Sequence, residues 1–129
     1  MRSHAITVFN GKLLLLLSPA TPLPGTSLYW NLIGGLAQGD ETPVQTLLRE
    51  FEDYAAITPT DYTLLLTLPE ETHIFLVRLS EDEARNVRIG ERGIDVRFFS
   101  LEQLIGLPMY HRIYNEFPSY VSLYTRFLN

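Results

Sequence analysis

Glu50 and Asp53 stand three residues apart. On a helix this spacing sets two carboxylates on one side, about one turn apart. Hard divalent ions such as Mg2+ prefer oxygen ligands, keep several waters, and commonly combine one or two protein carboxylates with substrate phosphate oxygens. The pair therefore fits a metal-diphosphate site. Arg49 projects about 100° round the helix from Glu50, where it can bond an acid from the preceding loop instead of competing for the metal. Glu41, just before the helix start, is the obvious partner. Acids and arginines on solvent-facing helices are often no more than a solvated face, so the assignment depends on the elements that position them.

Those elements can be read from spacing and turn chemistry. Thr42-Pro43-Val44-Gln45 combines a Thr N-cap, Pro at the first helical position and Gln at N3, a capping-box signature. The helix it starts is expected to end near Ala56, before Thr58-Pro59. Val44, Leu47, Leu48, Phe51 and Ala55 share its apolar face, while Gln45, Thr46, Arg49, Glu50, Glu52 and Asp53 lie on the other. Upstream, residues 4–9 and the leucine run of residues 12–18 flank Asn10-Gly11 and predict a β-hairpin with a buried second strand. The proline-rich residues 19–27 read as a loop. After an apolar stretch at 29–33, Gly34-Gly35 allows a tight backbone path and predicts a turn. Residues 62–68 and 72–79 read as strands joined by Pro69-Glu70-Glu71, 81–87 as a short helix and 94–99 as a strand. Ser100 caps a short helix through 105, and residues 110–127 form a terminal helix interrupted near Pro118. Strands and helices that mix without regular alternation predict an α+β domain with a mixed sheet, and one domain for the whole of residues 1–129.

The spacing of the longer segment narrows the reading. From Gly35, five residues lead to Glu41 and seven more to Arg49-Glu50, followed by Phe51, Glu52, Asp53 and then Ala56-Ile57. This resembles the Nudix box, and Trp30-Asn31-Leu32-Ile33-Gly34-Gly35 is similar to the tryptophan-containing strand that leads into it. The resemblance implies an α/β/α sandwich. It also implies metal-ligand roles for Glu50 and Asp53, an orienting ion pair between Arg49 and Glu41, and a structural loop at Gly34 and Gly35. Tyr54 departs from the pattern, standing where the family has a second glutamate, usually a principal metal ligand; a neutral phenol is a far poorer Mg2+ ligand. Asp53 shortens the reach of its position by one methylene. Ala56 replaces a glycine and Ile33 a proline, changes of backbone preference more than of chemistry. Many family members use an acid from a later loop as base or extra ligand, for which Glu91 and Asp95 are the candidates.

Other features mostly exclude. Cysteine is absent, which removes disulfides, thiolate metal sites and a cysteine nucleophile. The longest apolar run, residues 13–17, is too short to span a bilayer, and the opening residues lack a signal-peptide h-region; no membrane association and a cytoplasmic location are expected. The net charge of -5 opposes unaided binding to a nucleic acid polymer, so a phosphate ligand would come with a divalent cation. His4, His73 and His111 have no metal-ligand spacing. Trp30 and Tyr29 suit the core better than base stacking. Tyr110, Tyr114, Phe117, Tyr120 and Tyr124 recur at helical spacing and suit a packed face or a homodimer contact. The resulting expectation is a Nudix-type hydrolase using Mg2+ (or Mn2+) to cleave the diphosphate linkage of a small-molecule nucleoside diphosphate derivative. The alternative, motivated by Tyr54, is a nucleotide-binding or regulatory module that kept the fold and lost turnover.

Overall fold

In the computed structural model, which describes residues 1–19, 25 and 27–104, the chain opens with strands β1 (Arg2–Phe9) and β2 (Lys12–Pro19). They pair antiparallel, Val8 with Leu13 and Phe9 with Lys12. Asn10 and Gly11 both take positive φ, 50° and 73°, the conformation that a two-residue hairpin turn requires. Beyond the turn the two strands diverge, and a bent segment fills the gap between them. Its first half, β3 (Leu28–Asn31), pairs with the end of β2, and its second half, β4 (Ile33–Leu36), pairs with the start of β1. Gly34 and Gly35 therefore lie within a strand, opposite His4 and Ser3, rather than at the turn that the sequence suggested. Close backbone approach explains the glycine at 34: a Cβ there would sit 2.2 Å from the Ser3 carbonyl oxygen.

The helix α1 spans Pro43–Ala55 and starts as expected. Thr42 Oγ1 accepts from the Gln45 amide at 3.2 Å, and the Gln45 side chain accepts from the Thr42 amide at 2.9 Å. Ala56 closes it in the left-handed region at φ 55°, a conformation that favours the glycine it replaces. Next come β5 (Tyr62–Leu68) and β6 (Thr72–Arg78), an antiparallel pair. They are followed by α2 (Glu81–Asn86), capped by Ser80, then β7 (Asp95–Ser100) and α3 (Leu101–Leu104), where Ser100 and Gln103 form a reciprocal cap. Strand β6 runs parallel to β1, and β7 pairs with β2 on the side away from β1.

The leucine run of β2 follows from its position between strands with both faces covered, so neither face tolerates a polar residue. Leu13 and Leu15 join Ile6, Val8, Trp30, Ile74, Leu76 and Phe99 on one face, with Leu101 and Leu104 of α3 packed against them. Leu14 and Leu16 join Ile33, Phe75 and Val77 on the other, covered by Leu47, Phe51 and Ala55 of α1 and by Ala84 of α2. This is the mixed-sheet α+β architecture expected, with helices against both faces. The N-terminus of α1 is tied to β1 by the Ser3 hydroxyl, which donates to the Pro43 carbonyl at 2.8 Å. The aromatic series from Tyr110 to Tyr124, His111 and the terminal helix lie outside the described residues.

Candidate active site beside α1

The apolar stripe of α1 fixes its rotation on the sheet, and that rotation decides where its acids go. Leu47, Phe51 and Ala55 are fully buried, so positions about 100° away are carried along the edge of the β4 strand. Glu50, assigned by spacing to the polar face, is buried there with only 4% of its surface exposed, and Thr46 is buried with it. Gly35 makes the room: a Cβ at that position would stand 2.6 Å from Glu50 Oε1 and 3.0 Å from its carboxyl carbon.

Arg49 is the hub of the cluster. Its Nε donates to Glu41 Oε2 at 2.7 Å and its Nη2 to Glu41 Oε1 at 3.0 Å, a two-pronged pairing, while Nη2 also reaches the Leu36 carbonyl at 2.9 Å. Nη1 lies 3.0 Å from Glu50 Oε1 and 3.5 Å from Asp53 Oδ2. Arg49 thus pairs with the loop acid Glu41 and, in addition, bonds both candidate ligands. One guanidinium nitrogen draws the two carboxylates together. The Arg49 hydrogen bonds and the Gln38 amide hold the Glu41 carboxyl down to about 2. Burial pushes Glu50 the other way, above the usual carboxylate range, with Arg49 opposing the shift.

A further residue, not singled out by spacing, completes the cluster. Arg92 Nη1 lies 3.2 Å from Asp53 Oδ2, and its guanidinium sits 5.3 Å from the centre of the Tyr54 ring. The loop that carries it closes the C-terminus of α1: the amides of Arg88, Gly90 and Arg92 donate to the carbonyls of Ala55, Tyr54 and Asp53. These are carbonyls that a helix end leaves without partners of its own. Gly90 is pressed so close that a Cβ would meet the Asp53 carbonyl oxygen at 2.3 Å. Gly90→Ala is therefore expected to cost about 2 kcal/mol, because backbone must move to admit the methyl. Thermal denaturation would show it as a Tm several degrees lower.

Tyr54 is half-buried against the core below α1, and burial raises its phenol above the ordinary range. Asp95 accepts from its neighbour, the Val96 amide, and pairs with Arg97 at 2.8 Å. Glu91 is exposed. Among the described residues no three His, Asp or Glu side chains come together as a group able to hold a metal ion, so neither later acid joins Glu50 and Asp53. Trp30 is buried, meets the Phe99 ring edge-on at 4.7 Å and lies under Arg97, which makes it core. His73 pairs with the Thr67 hydroxyl.

A divalent ion fits this donor set. Glu50 Oε2 is buried and has no hydrogen-bond partner among the described residues, an arrangement that is costly for an ionised oxygen unless a cation or a proton reaches it. Asp53, which shares Arg49 Nη1 with Glu50, would supply a second carboxylate, and two suffice for an ion that takes its remaining ligands from water and phosphate.

No curated protein matches the sequence. Solved structures do resemble the fold, all at low identity. One is a C. elegans Ap4A hydrolase in a binary complex, with TM-score 0.64 and 18% identity over 98% of this chain and 95% of that one. Another is the NUDIX domain of Shewanella oneidensis NrtR complexed with ADP ribose, with TM-score 0.70 and 19% identity over 99% and 87%. A third is a bifunctional NMN adenylyltransferase/ADP ribose pyrophosphatase from Francisella tularensis, complexed with AMP and Mn ion. It has TM-score 0.63 and 18% identity over 99% of this chain, which spans 41% of that protein. The sequence matches the NUDIX domain family over residues 1–119. With the box residues gathered round a capped helix on a mixed sheet, that match identifies the chain as a member of the Nudix family.

Proposed function

We propose that this chain is a hydrolase that cleaves the diphosphate linkage of a small-molecule nucleoside diphosphate derivative, with Mg2+ or Mn2+ held by Glu50 and Asp53. The observation that carries this reading is Glu50, whose Oε1 meets Asp53 Oδ2 on Arg49 Nη1 while its buried Oε2 has no partner among the described residues. When bound, the ion would neutralise the diphosphate and stabilise charge developing on its oxygens. Arg49 holds both carboxylates in register and is itself fixed by Glu41 and the Leu36 carbonyl. Gly35 leaves the space that the Glu50 carboxylate occupies. The family relatives that bind ADP ribose and AMP, and the Ap4A hydrolase, support a nucleotide with linked phosphates as the ligand class. A cytoplasmic location and a single domain go with this proposal.

A second reading, a nucleotide-binding module without turnover, is favoured by Tyr54 at the expected glutamate position and by the hold of Arg92 on Asp53. Screening the purified protein against nucleotide sugars, dinucleoside polyphosphates, ADP-ribose and nucleoside triphosphates, with and without Mg2+ or Mn2+, separates the two. Phosphate, pyrophosphate or nucleotide release that requires the metal is the expected result. Calorimetric binding of a nucleotide with no product under any metal would replace the hydrolase by the module.

A further inference from the structure

The hydrolase reading leaves Arg92 without a role, although the fold goes to some length to place it. Three backbone hydrogen bonds bolt residues 88–92 onto the end of α1, and Gly90 admits no side chain there. The result is a guanidinium 3.2 Å from Asp53 Oδ2 and stacked near the Tyr54 ring, with half of its side chain still exposed. A helix C-terminus favours a cation on its own account, but that preference does not require contact with Asp53, one of the carboxylates gathered on Arg49.

The charges on the page define the consequence. Glu41, Glu50 and Asp53 face Arg49 and Arg92, so the cluster holds at most one more negative than positive charge. A divalent ion approaching Asp53 meets a carboxylate whose Oδ2 already has two guanidinium neighbours. Tyr54, next along the helix, brings no compensating anion and instead supplies an aromatic face that keeps the guanidinium in place.

We infer that Arg92 is a built-in counter-cation for Asp53 that competes with the divalent ion, so that metal binds this site only by displacing Arg92. The exchange frees a guanidinium at the edge of the cluster, half exposed and suited by its planar fork to phosphate oxygens. Arg92 is in this sense a positioning residue that sets metal affinity. The inference rests on the assignment of the metal to Glu50 and Asp53.

The test is a Mn2+ titration of the nucleotide-free protein, read by calorimetry or by the electron paramagnetic resonance signal of free Mn2+, and needs no turnover. Arg92→Gln is expected to bind Mn2+ roughly tenfold more tightly than the parent chain, about 1.4 kcal/mol. Arg92→Lys, which keeps the charge, should stay close to the parent value. Arg92→Met keeps the apolar stem over Tyr54 and carries the same expectation as the Gln variant if that variant proves unstable. Equal or weaker Mn2+ binding in both neutral variants, with binding still abolished in Glu50→Gln, would overturn the inference and leave the metal assignment standing. Binding in none of the proteins would overturn both.

Discussion

Glu50→Gln is expected to remove metal-dependent product release altogether, a fall of at least about a thousandfold, on the scale seen when an electrostatic catalytic group is deleted. The amide is nearly the same size, so Gly35 still accommodates it and the fold should survive. What is lost is the negative charge that would make Oε2 a metal ligand. The same substitution has a second, opposite effect on stability. Burial raises the pKa of Glu50 above its unfolded value, so the folded protein binds the proton more tightly than the unfolded chain does. Stability from this group is then present in full below the unfolded value and declines as pH rises through the folded one. Metal-free Glu50→Gln should therefore gain Tm relative to the parent at pH 8, and the gain should shrink toward pH 4. Thermal scans across that range, alongside a phosphate-release assay, check both halves. Parent-like turnover in this variant would remove Glu50 from the site.

Arg49→Met carries the second large effect, and here activity and stability fall together. The guanidinium serves Glu41 through two bonds, the Leu36 carbonyl through a third and the two candidate ligands through Nη1. Methionine fills much of the volume but leaves buried Glu50 without its neighbouring positive charge and the two carboxylates free to separate. Loss of one partner from such a network is expected to cost about 2–4 kcal/mol at pH 7, with turnover near background. Arg49→Lys should restore little, because a point charge cannot reproduce the two-pronged bond to Glu41. The pH dependence follows from Glu41, whose carboxyl is held down to about 2 in the folded protein. Its contribution is present above the unfolded value near 4.5 and is lost as pH falls through about 2. The difference in Tm between parent and Arg49→Met should accordingly narrow across that acid interval. A variant that matched the parent in Tm and rate would show that the hub does not hold the site.

The parts of this site legible in the sequence were those set by local chemistry. Thr42, Pro43 and Gln45 announce the start of α1 because capping acts within one turn, and Asn10-Gly11 announces its hairpin because only a few residues accept two positive φ values. Helical spacing likewise brought Glu50 and Asp53 to one side. Burial was not legible: Glu50 belongs to the polar face by periodicity and is covered where α1 packs against β4, with Gly35 leaving room for its carboxylate. The same long-range pairing turned Gly34 and Gly35 from an expected turn into a strand, since nothing local indicates that β1 and β2 diverge and leave a gap to be filled. Arg92 is separated from Asp53 by a strand pair and a helix, and its loop reads as polar surface. The one signal that could have marked it is the pair Gly90 and Gly93 framing Glu91-Arg92, a pattern suited to close packing against another backbone. Order along the chain does not choose between Glu91 and Asp95. The fold turns Asp95 to Arg97 instead and leaves Glu91 exposed.

On the proposed reading, Glu50 Oε2 and Asp53 would hold a divalent ion while the diphosphate linkage is cleaved. Crystals soaked with Mn2+ and a slowly hydrolysed ADP-ribose analogue test this most directly, through the anomalous scattering of manganese. A peak within about 2.5 Å of Glu50 Oε2 and in contact with a phosphate oxygen is the expected result. Manganese bound elsewhere, or a seated nucleotide with Glu50 still unliganded, would contradict it.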